Sequence, residues 1–359
     1  MDAGERYIKG RGAQVNPANR FLKSSYDKEE FEKEEDWEKF QKQKTQVLFD
    51  DSKTIVNKIT SEDIPLELSV NPYQGCEHGC IYCYARNTHE YWGYSAGIDF
   101  ETRIIAKPNA PDLLRKAFEK KTYTPQVVSF SMNTDCYQPV ERKLQLTRKL
   151  LEVCLEYRNP CTILTKNALV LRDLDILQEL NKHQLVHVST SITAAGEDIR
   201  SVLEPRTSSI KTRLKIIEHC ARLDIPTGLM FAPIIPGLND ADMFKVLKMA
   251  ADAGAFWAGY TIVRLNGAIA EIFEDWLYKA FPDRAEKIWH HIQSCHGGKV
   301  NDSRWGTRMR GEGKIAEMIR GQFKIYCRKL GLNERTCPLN TAAFRRPPQN
   351  GQLELFGDY

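Results

Sequence analysis

The sequence predicts an α/β fold: a partial (β/α)6 barrel of the TIM type, with an N-terminal arm and a basic C-terminal extension. Three observations carry this. Short apolar runs alternate with longer segments of helical period, the pattern of a parallel sheet with outer helices. The runs number six, whereas a closed barrel of this kind has eight. The runs also tend to end in polar residues, as strands do where their C-terminal ends line a site.

Residues 1–60 read as the arm. Its first part is polar and rich in Gly and Asn. "YDKEEFEKEEDWEKFQKQKT" (26–45) then places Phe31, Trp37 and Phe40 at helical spacing in a dense run of charge, a surface helix or a partly disordered arm. Residues 61–295 read as the barrel. Its strands are "LELSVN" (66–71), "VVSFSMNT" (127–134), "CTILTKN" (161–167), "VHVSTSIT" (186–193), "TGLMFAPIIPG" (227–237) and "WAGYTIVRL" (257–265). Helical stretches such as "RKLQLTRKLLEVCLEY" (142–157) and "RLKIIEHCARLDI" (213–225) lie between them.

Residues 296–345 read as the extension and 346–359 as a flexible tail. From Lys299 to Arg346 there are 12 Lys/Arg against 4 Asp/Glu, so the net charge of +4 hides a basic region on a slightly acidic body. Trp305, Phe323 and Tyr326 lie among these cations, a mixture that suits nucleic acid; a solvated basic face is the plainer alternative. "IAEMIRGQFKIYCRKLGL" has the pattern of an amphipathic helix ending at Gly331. That leaves the glycine-rich "SRWGTRMRGEGK" to meet a ligand.

At 42% hydrophobic and 27% charged residues the chain reads as soluble and globular, and no apolar run is long enough to cross a bilayer. "MDAGERYIKGRG" lacks the apolar core of a secretory signal, so the expected compartment is the cytoplasm, where thiols stay reduced. The ten cysteines are therefore not a disulfide framework. Cys154, Cys161, Cys220 and Cys327 sit in apolar contexts and read as core.

Three cysteines are different. In "NPYQGCEHGCIYCYARNTHEY" (71–91), Cys76, Cys80 and Cys83 share one tight loop directly after the first strand, at the mouth of the barrel. Gly75 and Gly79 let the backbone wrap a single inorganic centre. Structural zinc would want a fourth ligand, with His78 at hand. A closed electron-transfer cluster would want four cysteines. A [4Fe–4S] cluster on three cysteines keeps one iron open for a substrate or cofactor.

"CEHGCIYC" resembles the signature of the radical S-adenosylmethionine (SAM) superfamily. "VNPYQGCEHGCIYCYAR" (70–86), "TDCYQPVE" (134–141), "LTKN" (164–167), "LRDLDIL" (171–177), "LEPR" (203–206) and "PIIPGLND" (233–240) resemble its branch related to spore photoproduct lyase, the DNA-repair-photolyase-like proteins. The resemblance implies a [4Fe–4S] cluster on Cys76, Cys80 and Cys83, with SAM on the open iron. It implies reductive cleavage of SAM to a 5′-deoxyadenosyl radical, and an electron donor protein to drive it. Tyr82 is then placed to pack beside the adenine. Asn133, Thr134 and Asp135 end the second strand, where the superfamily binds the SAM amino group. Lys166 would meet the SAM carboxylate or an anionic substrate, Ser189 and Ser191 the ribose hydroxyls, and Arg206 a carboxylate. Cys136 departs from the branch, which more usually has proline there. A hydrogen-atom donor role is one reading of it and an incidental small residue the other.

The tail ends "QLELFGDY". Gln352, Leu353, Leu355 and Phe356 resemble the pentapeptide that binds the bacterial sliding clamp, with docking back onto the body as the alternative. The expected function is thus a radical SAM enzyme that repairs or modifies DNA. Two rivals stay open on sequence: the same chemistry on RNA, protein or a metabolite, and a non-enzymatic metal-binding module that senses redox state or binds nucleic acid.

Overall fold

The computed structural model describes residues 7–22 and 44–347. The ten strands are β1 (Gln46–Phe49), β2 (Val56–Lys58), β3 (Leu68–Val70), β4 (Tyr73–Gln74), β5 (Arg103–Ala106), β6 (Val128–Phe130), β7 (Cys161–Thr165), β8 (Val186–Ser191), β9 (Thr227–Ile234) and β10 (Trp257–Ile262). All six expected strands are present, as β3 and β6–β10. They pair in parallel in the order β3-β6-β7-β8-β9-β10, and β2 adds antiparallel to β3 at the edge. The sheet does not close on itself, so the barrel is partial as expected.

The crossovers supply the outer helices: α1 (Ala110–Glu119), α2 (Leu146–Glu156), α3 (Leu174–Lys182), α4 (Ile210–Arg222) and α5 (Met243–Asp252). α6 (Ile269–Ala280), α7 (Ala285–Ser294) and α8 (Gly313–Lys329) follow the last strand. Helix α2 starts later than its apolar period suggested. Gln145 takes a left-handed φ of 52° and separates it from a one-turn helix, Glu141–Leu144. The Glu141 carboxylate accepts from the Thr147 N–H at 3.0 Å and so supplies the cap.

The register sorts the two faces of the sheet. Val70, Phe130, Ile163 and Val188 are cross-strand partners and pack in one apolar core with Leu114, Leu151, Leu177 and Ile216 from the helices. One residue out of phase, Ser69, Ser129, Thr162 and His187 form a polar row on the concave face. The next row toward the strand ends is Leu164, Ser189, Gly228 and Trp257. A barrel filled for stability alone would carry branched aliphatics there. Here Ser69, Ser129, Thr162 and Ser189 stand in place of branched aliphatics, and the Trp257 ring lies against Gly228.

Two features carry no periodic signal. A second sheet, β1-β5-β4, sits beside the barrel mouth, and β4 leads directly into the cysteine loop. The basic extension is joined to the free edge of β10 by main-chain bonds. Ile262 N–H donates to Met309 O at 2.9 Å, and Asn333 N–H donates to Phe256 O at 2.9 Å. The Asn333 carboxamide also accepts from Ala258 N–H at 2.9 Å and donates to its carbonyl at 3.0 Å, standing in for a neighbouring strand.

Candidate active site at the barrel mouth

The loop from Gly75 to Cys83 buries Cys76 and Cys80 and leaves Cys83 half-buried before a 3₁₀ helix, Tyr84–Trp92. Gly75 (φ 77°) and Gly79 (φ 69°) occupy the left-handed region, where a side chain would be strained. Burial raises the pKa of the Cys80 and Cys83 thiols. Each also feels Cys76, and Lys166 pulls both the other way. Cys83 packs against both the apolar cluster that holds Cys76 and the apolar cluster that holds Cys80, and its N–H donates to Cys80 O at 3.3 Å. Among the described residues, no three His, Cys, Asp or Glu side chains gather as a single metal ion requires.

Neighbouring elements fix the loop by its backbone. The Gly75 carbonyl accepts from Thr134 Oγ1 at 2.7 Å and Gln138 Nε2 at 3.0 Å, and Gln138 Oε1 accepts from Glu77 N–H at 3.1 Å. Cys76 N–H donates to Phe100 O and Ile81 N–H to Leu203 O. Arg86, fully buried, donates to the Cys80 carbonyl through Nε (3.1 Å) and Nη2 (3.0 Å), to Gly97 O (3.0 Å), and to Glu101 Oε1 (2.6 Å). Glu101 in turn accepts from the N–H groups of Gly12 (3.2 Å) and Ala13 (2.8 Å). Residues 7–22, expected within a polar arm, therefore lie against the cysteine loop, with Ile8, Ala13 and Gln14 buried. A Cβ on Gly12 would sit 1.7 Å from the Gly79 carbonyl oxygen.

Lys166 and Ser191 extend the concave rows by one register step, toward the cysteines. Ser189 and Ser191 are buried, and Lys166 is half-buried with its ammonium 5.9 Å from the Tyr82 ring centroid. That ammonium makes no hydrogen bond or ion pair among the described residues. Tyr82 is buried, and its hydroxyl donates to Glu204.

Asp135 is engaged within the protein. Its oxygens accept from Tyr137 N–H (2.9 Å), Thr165 Oγ1 (2.7 Å) and Lys166 N–H (2.8 Å), and His78 Nδ1 lies 3.3 Å away. Burial pushes its carboxyl up, but His78 and these donors outweigh that and hold it at about 2. Burial likewise pulls His78 down, and Cys76 and Asp135 raise it to about 10. In this geometry Asp135 braces the loop through His78 rather than offering a free oxygen to an ammonium. His78 is committed to Asp135 and Asn167, not free as a fourth metal ligand.

Asn133 N–H donates to Asn71 Oδ1 at 2.9 Å and its carboxamide binds Gln74, so Asn133 and Thr134 both meet the base of the loop. Arg206 is exposed, and its N–H donates to the His78 carbonyl at 3.2 Å. Cys136 does not join the site. Its thiol packs in the apolar core on the helix side of the sheet, where burial pushes its pKa well up. A hydrogen-atom donor would have to face the concave side.

The residues that sequence reasoning missed are mostly braces inside the quoted motifs. Glu204 of "LEPR" is buried, pairs with buried Arg213, and accepts from Thr193 Oγ1 at 2.9 Å. Glu141 of "TDCYQPVE" accepts from Tyr73 and from Arg172 at 2.8 Å, while Tyr137 donates to Asp173 at 3.0 Å. Asn239 of "PIIPGLND" ties Ile235 N–H to Thr193 O. The motifs signalled all of them; the search was for ligand contacts, and these residues serve the backbone. Gly12 and Glu101 had no such signal, since they meet across 89 positions.

Comparison with known proteins agrees with this geometry. Residues 70–250 match the family model of the radical SAM superfamily. An uncharacterised protein of Mycobacterium tuberculosis is 31% identical over 236 residues, 64% of this chain and 69% of that protein. One of Methanocaldococcus jannaschii is 28% identical over 220 residues, 61% of this chain and 78% of that one. Among solved structures, spore photoproduct lyase complexed with dinucleoside spore photoproduct shares the fold, with a TM-score of 0.60 at 17% identity over 80% of both chains. A mutant of that lyase with bound AdoMet and the same dinucleoside gives a TM-score of 0.56 at 15% identity. With half of its length matched by the family model, and a three-cysteine loop at the mouth of an open six-stranded barrel, the chain belongs to the radical SAM superfamily, whose enzymes work with a [4Fe–4S] cluster and SAM.

Proposed function

We propose that this radical SAM enzyme acts on a nucleic acid, as a DNA repair or base-modifying enzyme, with Cys76, Cys80 and Cys83 as the cluster ligands. The observation that carries the reading is one loop that packs Cys83 against the apolar clusters of Cys76 and Cys80, with the unpaired Lys166 ammonium 5.9 Å from the Tyr82 ring of the same loop. Soft thiolates suit iron–sulfur chemistry. His78, 3.3 Å from Asp135, is engaged and does not offer itself as the fourth ligand of a tetrahedral zinc site. When bound, the cluster and SAM supply a carbon radical that removes a hydrogen atom from the substrate.

The chain's residues bind and orient. Lys166 offers a cation to the SAM carboxylate, Ser189 and Ser191 offer hydroxyls to the ribose, and Tyr82 offers a ring face. Asn133, Thr134 and Asp135 hold the cysteine loop in register with the strand ends. The nucleic-acid part of the proposal draws on the basic extension joined to β10 and on a fold shared with a lyase that binds a dinucleoside photoproduct. An electron donor protein is the expected partner. A reducing, cytoplasmic setting fits ten unpaired cysteines, and no helix among the described residues is long and apolar enough to cross a membrane.

Anaerobic reconstitution tests the core of this. Iron and sulfide in the ratio of a [4Fe–4S] cluster, with reductive release of 5′-deoxyadenosine from SAM, is the expected result. Both should vanish when the three cysteines become alanine. Bound zinc without SAM cleavage would replace the enzyme reading with a metal-binding module.

The clamp-like motif, Gln352, Leu353, Leu355 and Phe356, lies outside the described residues. The last described segment is anchored: Phe344 packs on Phe118, Tyr123 and Tyr157, and Arg346 donates to the Phe118 and Lys120 carbonyls. We extend the proposal to recruitment by the replication clamp. Pull-down with purified clamp should recover the whole chain and lose it when residues 352–356 are removed. Equal recovery of both chains refutes recruitment through this motif.

A further inference from the structure

Resting on the nucleic-acid reading above, we propose that Arg264, at the barrel rim beside the cysteine loop, is a phosphate-binding residue that seats one backbone phosphate of the substrate strand. Arg264 follows the C-terminal end of β10 and is half-buried. The chain is fixed on both sides of it: Val263 N–H donates to Ile234 O at 2.8 Å and Leu265 N–H to Val300 O at 2.9 Å. Its guanidinium nevertheless makes no hydrogen bond or ion pair among the described residues. A planar five-donor cation on a fixed stretch of backbone, partly out of water and without an acceptor, is unusual unless a ligand supplies the oxygens.

The surroundings say which ligand. Burial and the neighbouring Arg308 lower the Arg264 pKa, and Tyr84 and Asp63 act against them. Contacts on both sides place it: Asn87, in the 3₁₀ helix after Cys83, donates to Asn266 O at 2.7 Å and accepts from Ala268 N–H at 3.1 Å, and Ile262 N–H donates to Met309 O of the basic extension. Arg308 is paired with Asp63, and its guanidinium lies 3.9 Å from the centroid of the Trp305 ring, itself 47% exposed. Gly306 N–H also donates to Asp63, so the 305–308 turn is held in place. Tyr84, half-exposed, bridges to the Met132 carbonyl past the end of β6. The rim thus offers a half-buried cation for a phosphate and, on the turn held by the Arg308–Asp63 pair, an exposed aromatic ring where a base can stack. A free carboxylate metabolite would use the cation and leave the ring idle; a nucleotide chain uses both.

The test is binding of a short fluorescein-labelled single-stranded oligodeoxythymidylate to the reconstituted full-length protein, read by anisotropy across a salt series. Arg264→Gln should weaken binding about 10-fold or more, as expected for a lost charge-assisted bond, and flatten the slope of log affinity against log salt by about 0.7. Arg264→Lys should keep the slope and recover part of the affinity, because the charge stays and the fork geometry goes. Arg222, an exposed helix arginine paired with Glu218, provides the matched control, and Arg222→Gln should change neither quantity. Circular dichroism and iron content confirm that each variant is folded and loaded. Wild-type-like binding by Arg264→Gln, or an equal loss in Arg222→Gln, overturns the phosphate role while leaving nucleic-acid binding intact. Failure of the unmodified protein to bind the oligonucleotide overturns this proposal and the nucleic-acid reading together.

Discussion

Gly12→Ala is expected to lower the thermal stability of the protein and most of its ability to retain iron, although residue 12 lies far from the cysteines in sequence. The added methyl carbon would stand 1.7 Å from the Gly79 carbonyl oxygen, and that oxygen belongs to the backbone between Cys76 and Cys80. A side chain could rotate away; a carbonyl in a loop fixed by Thr134, Gln138 and Arg86 can only move with the loop. Either the N-terminal segment lifts off, releasing two hydrogen bonds to Glu101, or the thiols shift. Overpacking of this kind costs about 1–3 kcal/mol. Iron per chain after reconstitution and the unfolding midpoint are the measurements. Wild-type values for both would show that the 7–22 segment does not support the cysteine loop.

Glu101→Gln should be more damaging still to stability. Glu101 and Arg86 are fully buried, 2.6 Å apart. Removing one member of such a pair leaves an uncompensated buried charge and costs about 3–5 kcal/mol. Arg86 also donates to the Cys80, Ala96 and Gly97 carbonyls, so it cannot leave without stranding them. The double variant Arg86→Met, Glu101→Leu removes both charges. It should be less destabilised than the sum of the two single variants, a coupling that denaturant titration can read. Additive losses would mean that the two side chains act separately.

The fold was legible because its signal is periodic. Six apolar runs mark six buried parallel strands, and their polar ends mark the mouth. The cysteine loop was legible because three soft ligands with intervening glycines have few other uses. What escaped was long-range and non-periodic. The strands β1, β4 and β5 are two to four residues long, too short to show alternation. The N-terminal segment looked like polar filler because its partners, Glu101 and the Gly79 carbonyl, are supplied by a distant stretch. The surroundings of Asp135 and Cys136 were not legible for a related reason. Sequence places them at a strand end, and only the register tells which face each side chain takes. Asp135 turned to His78 and the Lys166 amide, Cys136 to the apolar core.

The main-chain bonds between β10 and the 300–333 region have a consequence for selectivity. A cationic tail on a flexible tether would sample many positions, and any stretch of a bound polymer would drift past the reactive centre. Here hydrogen bonds to Phe256, Ala258 and Ile262 tie the cationic region to the last strand of the sheet. If the substrate is the nucleic acid proposed above, a strand gripped there is measured off as by a ruler. Which of its units meets the chemistry is set by a rigid length, not by local affinity for that unit alone.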